Sequence, residues 1–142
     1  MPTIQYVTSI SVAAKFHAQH RWKDCPIEEV AFLRNWHRHV FHVHLHIWVK
    51  HGDREKEFFV CQRHLRHFVQ STWEGGQWDK SCEMFAEDIL HQFASLGWLI
   101  RAVEVSEDGE NSAVIFPTNV AVPDPQELQQ VPSLLLQGVP NP

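Results

Sequence analysis

No run of about 18 apolar residues occurs anywhere in this chain, so it offers no membrane-spanning helix. The opening Met1-Pro2-Thr3 has neither the charged nor the apolar region of a secretory signal, and the expected location is the cytoplasm. Positive charge is in short supply: 12 Lys and Arg stand against 17 Asp and Glu, a formal net charge of -5, which argues against general nucleic-acid binding. Cysteine is sparse as well. Cys25, Cys61 and Cys82 are odd in number, scattered and without a Cys-x-x-Cys pair, which suits free thiols in a reducing compartment rather than a disulfide framework. Internal repeats, a phosphate-binding glycine loop and a Ser-His-Asp signature are all lacking. The 142 residues are one domain's worth, enough to bury a core without staples.

Histidine, by contrast, is abundant, with 11 in the chain. His37 and His39 head a strand pattern and share one face of it, because side chains on a strand alternate with period two. Phe16, Ala18 and His20 alternate in the same way at the end of an earlier strand. Three neutral imidazoles from two neighbouring strands, with no fourth protein ligand, describe a catalytic rather than a structural zinc site. In a chain this rich in histidine, a His-x-His pair can also be merely solvated or hydrogen-bonded.

Along the chain, residues 3–20 read as a first long strand with a bulge or break near Ser9. Residues 21–36 form a loop over the metal, with a short helical turn within Pro26 to Leu33. From His37 to Val49 alternation is strict, with Phe41, Val43, Leu45, Ile47 and Val49 on the ligand face and His42, His44, His46 and Trp48 on the other. That second face is either a solvated sheet surface or the lining of a polar lumen. Lys50 to Glu55 has hairpin-loop chemistry, and Glu57 to Cys61 reads as the return strand. A helix is expected over Gln62 to Val69, ending by Thr72, followed by a glycine turn at residues 73–78. Asp79 or Ser81 can cap a second helix from Cys82 to about Leu96, stopped by Gly97. Trp98 to Ser106 and Ser112 to Phe116 make a closing pair of strands around a turn at 107–111. The predicted order is β-β-β-α-α-β-β, an α+β chain with a helical pair packed on one sheet face. Residues 1–116 would be the domain, and the proline-rich residues 117–142 an extended tail whose apolar Leu134-Leu135-Leu136 could dock on a neighbouring surface.

Two motifs carry a family resemblance. Phe16-His17-Ala18-Gln19-His20 resembles the Phe-x-Ala-x-His strand end of the 6-pyruvoyl- and 6-carboxy-tetrahydropterin synthases, and His37-Arg38-His39-Val40-Phe41 resembles their His-Gly-His-Asn-Tyr, in the family's order. Ser81 to Ala86 is similar to the family's Pro-Thr-x-Glu-Asn-x-Ala helix start, keeping Glu83 and Ala86. The resemblance implies the tunnelling fold, or T-fold, in which the antiparallel sheets of several subunits close into a barrel. It also implies a homo-oligomer, trimer or hexamer, with sites at subunit interfaces, Zn2+ on His20, His37 and His39, and a pterin-type substrate touching Glu83. Val103-Glu104-Val105-Ser106-Glu107 looks like the closing strand whose glutamate anchors the pterin, which points to Glu107, with Glu104 the alternative if the register is shifted.

A carboxylate suits that task because it accepts two parallel hydrogen bonds from a ring N-H and an exocyclic amine. The family's base cysteine is not matched: Leu33 and Ala31 stand four and six places before His37. Cys25 lies elsewhere in the same loop, either as a displaced base or as a buried inert thiol. The family's Asp-His proton relay has no counterpart between Phe68 and Ser81. Two functions follow: a zinc-dependent lyase acting on a dihydroneopterin triphosphate-like pterin, or a non-catalytic protein that binds and sequesters a purine or pterin ligand.

Overall fold

The computed structural model describes residues 3–129. Its elements are β1 (Thr3–Tyr6), β2 (Thr8–His20), a 3-10 helix (Glu28–Arg34), β3 (His37–Val49), α1 (Phe58–Trp73), β4 (Gln77–Trp78), α2 (Cys82–Ser95), β5 (Ile100–Glu107), β6 (Asn111–Ile115) and β7 (Gln126–Gln129). Five strands form one sheet in the order β4-β2-β3-β5-β6, antiparallel except for the short β4, which runs parallel to β2. No helix among the described residues is long and apolar enough to cross a membrane.

The strict alternation of β3 puts Phe41, Val43, Leu45 and Ile47 wholly out of solvent on one sheet face. Both helices pack there. From α1 come Cys61, Leu65, Val69 and Trp73, spaced four apart along one stripe, and from α2 come Phe85, Ala86, Ile89 and Phe93. Aromatic rings fill the centre: Phe16 stacks on Phe41 at 5.0 Å between centroids, and Phe85 stands 5.0 Å from Phe41 and 4.8 Å from Trp73. The other sheet face carries half-buried His42, His44 and His46.

Several expectations are corrected. Glu57 to Cys61 is not a return strand, and Lys50 to Glu55 does not close a hairpin. Glu57 is the N-cap of α1, its carboxylate accepting from the backbone N-H groups of Phe59 and Val60. The β-propensity of Phe58, Phe59 and Val60 is overridden because they are exposed, while the stripe beginning at Cys61 needs a helical period to reach the core. The same stripe extends α1 through Trp73, past Thr72. The break expected near Ser9 falls at Val7, because β1 leaves the main sheet to pair with β7 in a separate ribbon. That seventh strand, inside the proline-rich tail, was not expected, nor was β4; Leu134-Leu135-Leu136 lies outside the described residues.

Ser81 caps α2, its Oγ accepting from Met84 N-H, and Gly97 ends it at φ +82, a conformation that costs glycine nothing. After α1, Gly76 is required by close approach, since a Cβ there would lie 2.7 Å from the Trp78 indole. The Trp78 indole N-H donates to Trp73 O, folding the turn tightly enough that β4 arrives beside the end of β2.

Candidate metal centre and adjoining cavity

The β2–β3 register pairs His20 directly with His37 and Ala18 with His39. All three imidazoles therefore project from one face at one end of the hairpin, just beyond the aromatic core. Their potential ligand atoms lie within 4.8 Å of one another. His20 is buried, while His37 and His39 are half-buried.

Each ring is held at Nδ1. His20 Nδ1 donates to Lys80 O at 2.8 Å, His37 Nδ1 to Asn35 O at 2.8 Å, and His39 Nδ1 to Asp108 Oδ2 at 2.7 Å. Oxygen acceptors at all three Nδ1 atoms fix the tautomer, leaving each Nε2 with a lone pair for a cation. Consistent with that, His20 Nε2 is buried without a hydrogen-bond partner. This donor set fits a metal ion: three neutral imidazole nitrogens, each oriented by an outer partner, are the ordinary protein complement of a zinc site that keeps a fourth position.

Electrostatics agree. Burial lowers the pKa of His37, as do neighbouring His20 and His39, against a raising contribution from the Asn35 carbonyl; its neutral form is favoured. Asp108 is held below the usual carboxylate range by its bond from His39 and by that from Val40 N-H.

Glu107, at the end of β5, is paired in register with Phe41 and faces the triad. Its Oε1 is 3.2 Å from His20 Nε2 and its Oε2 3.5 Å from His39 Nε2. The His20 contact, opposed by burial and assisted electrostatically by the neighbouring His39 and His37 rings, lowers its pKa. Glu104, three residues earlier, lies on the histidine-ladder face, 3.6 Å from His44 and accepting from Ser112 Oγ. Counting by twos along β5 therefore separates the two glutamates as expected.

A cavity of about 820 Å³ opens beside the centre, lined by His20, His37 and Glu107 together with residues of the 21–36 loop and the start of α2. Its volume is that of a small-molecule site. Glu83 lines it from the exposed first turn of α2. Cys25 does not line it: the sulfur is buried in the loop, within donor distance of Ile27 O and Val30 O. The thiol that does line it is Cys82, 3.9 Å from Glu107 Oε1 and pushed up to about 12 by burial and by the carboxylates of Glu107 and Glu83. Sequence reasoning missed Cys82, Asp108 and the two carbonyl acceptors. Cys82 carries no motif, and carbonyl positions are invisible before the chain is folded.

By sequence, the chain matches no protein-family model and no curated protein. By shape it is similar to solved structures. An uncharacterized protein from Wolinella succinogenes superposes with a TM-score of 0.67 at 12% identity, covering 78% of this chain and 98% of that one. The 6-pyruvoyl tetrahydropterin synthase of Caenorhabditis elegans superposes with a TM-score of 0.61 at 12% identity, covering 83% and 98%. The likeness establishes the fold: α+β, of the tetrahydropterin-synthase T-fold type.

Proposed function

We propose that this chain is a zinc-binding T-fold protein that takes a pterin or purine ring into the cavity beside the triad and holds it there. The observation that carries this reading is the convergence of three Nδ1-anchored histidines and one carboxylate on the end of a small-molecule-sized cavity. His20, His37 and His39 would hold the zinc through Nε2, and the ion would supply Lewis-acid attraction for an oxygen of the ligand. Among the described residues Glu107 is the one carboxylate that borders both triad and cavity, and it can accept the paired N-H donors of such a ring. Glu83 offers a second acceptor at the rim.

Binding is favoured over turnover by the thiols. Cys25 is turned into its own loop, and Cys82, at about 12, stays protonated at neutral pH, so neither thiol is ready to act as a base. The second reading is the zinc-dependent lyase of the tetrahydropterin-synthase type, favoured by the ligand count of three that catalytic zinc sites use. Incubation with a panel of pterins and guanine nucleotides, followed by mass spectrometry of bound and free fractions, separates the two. A ligand retained unchanged supports binding, and a converted pterin supports the lyase. Neither retention nor conversion of any of these ligands by the zinc-loaded protein overturns both.

A further inference from the structure

We propose that Glu107 is itself the fourth protein ligand of the metal centre while the cavity is empty, so that the centre rests closed and an incoming ring opens it by drawing the carboxylate away. This rests on the metal reading above and adds a resting state to it.

Three observations support the assignment. Zinc bonds of about 2.0 to 2.2 Å to imidazole and carboxylate, arranged as a tetrahedron, put neighbouring donor atoms roughly 3.3 to 3.5 Å apart. The separations from Glu107 to His20 Nε2 and His39 Nε2, 3.2 and 3.5 Å, are close to such edges. The tautomers add the second observation. With Nδ1 of both rings donating to oxygen, each neutral ring turns a lone pair at Nε2 toward an anionic carboxylate. Acceptor facing acceptor is repulsive, and a cation between them removes the repulsion. The third is the lack of another strong partner. Among the described residues no Lys or Arg pairs with Glu107, the non-histidine hydrogen bond to its carboxylate comes from the weak donor Cys82 at 3.9 Å, and His20 Nε2 is buried and unsatisfied.

The carboxylate lies against the Nε2 atoms of two of the three rings, and the third ring, His37, offers a ligand atom within 4.8 Å of one on each of the other two. Because the Glu107 backbone is fixed by its pairing with Phe41, only side-chain rotation is needed to pass between metal and cavity. A ring offering two parallel N-H donors would compete with the metal for the same carboxylate. Ligand uptake and opening of the fourth metal position would then be one event.

The test uses cobalt(II) as a spectroscopic probe. Metal-stripped protein, Glu107→Gln and the control Glu104→Gln are each reloaded and their visible spectra and metal affinities recorded. The expected result is an intense four-coordinate spectrum in the parent and in Glu104→Gln, with a weaker, shifted spectrum and at least tenfold lower affinity in Glu107→Gln. Azide, added to the parent alone, should leave the spectrum unchanged where a position open to solvent would take it up. Azide binding to the parent, or an unchanged spectrum and affinity in folded Glu107→Gln, overturns the closed centre and leaves the triad intact. Failure of the parent to bind cobalt at all overturns the metal centre and this inference together.

Discussion

Asp108 Oδ2 accepts the Nδ1-H of His39 at 2.7 Å, although 69 positions separate the two residues in sequence. Asp108 stands at φ 55, a left-handed conformation that aspartate tolerates better than most residues. There its backbone N-H donates to Val40 O at 2.8 Å, while its Oδ1 accepts from Val40 N-H at 2.9 Å. One residue thus prolongs the β3–β5 ladder beyond the Phe41–Glu107 pair and, with its remaining carboxylate oxygen, orients the His39 ring.

Removing that anchor should loosen the metal without removing a ligand. Asp108→Ala is expected to lower zinc affinity by about 10- to 100-fold, with Asp108→Asn intermediate, since an amide oxygen still accepts. Competition against a chromophoric chelator measures it; parental affinity in Asp108→Ala would assign His39 its orientation from elsewhere.

The metal itself is expected at one zinc per chain, absent from the His37→Ala, His39→Ala double variant. Ligation requires neutral imidazole, so zinc is lost as pH falls. Burial and the adjacent His20 and His39 hold His37 neutral below the ordinary histidine range, so release should be centred on the acid side of that range. Elemental analysis after dialysis at stepped pH reports it, and full retention in the double variant would contradict the ligand set.

Stability is concentrated in the aromatic centre next to the site. Phe41 is fully buried between Phe16 and Phe85, and Phe41→Ala should cost about 3 to 5 kcal/mol in denaturant unfolding. Phe59 is 73% exposed, and Phe59→Ala should change stability by no more than about 0.5 kcal/mol. Equal costs would mean that α1 packs by another face.

Assembly is expected from the edges of the five-stranded sheet, above all β6, which among the described residues has no strand on its outer side. The homo-oligomer that the family resemblance implies would close these edges and turn His42, His44 and His46 inward. Burial, then Arg101 and His44, hold the pKa of His46 down within the single folded chain, so the unfolded chain binds the proton more readily. Stability from this group is therefore present above its ordinary pKa and lost as pH falls through about 6.5. Light scattering should show an oligomer at neutral pH that loosens in acid, whereas the His42→Gln, His44→Gln, His46→Gln variant stays closed. A monomeric parent at neutral pH defeats the proposal.

Where one physical signal dominates, the sequence was legible. Period-two alternation defined β3 to the residue and brought His20, His37 and His39 to one face, whereas Glu107 was picked out by the family resemblance of the closing strand, with Glu104 the alternative until the register separated them. At Glu57 two signals competed, β-propensity in Phe58-Phe59-Val60 and a helical stripe from Cys61, and burial decided for the stripe. The Gln126–Gln129 strand has too little apolar patterning to announce itself, because it is held by backbone pairing to β1. Lys80 O becomes a second partner of the triad only through tertiary placement, and Asn35 O, two residues before His37, only through the local path of the backbone.

The triad's outer partners also set an order of events in folding. His20, His37 and His39 belong to adjacent strands joined by the 21–36 loop alone, so pairing of this single hairpin already brings three nitrogens together. The carbonyl of Lys80 and the carboxylate of Asp108 come from 60 and 69 positions away, and contacts of such separation form late. A nascent chain would thus capture zinc weakly and early, then tighten its hold as β4 and β5 dock. Zinc present during synthesis would favour the correct strand register, whereas zinc added to finished protein would meet rings already locked in place.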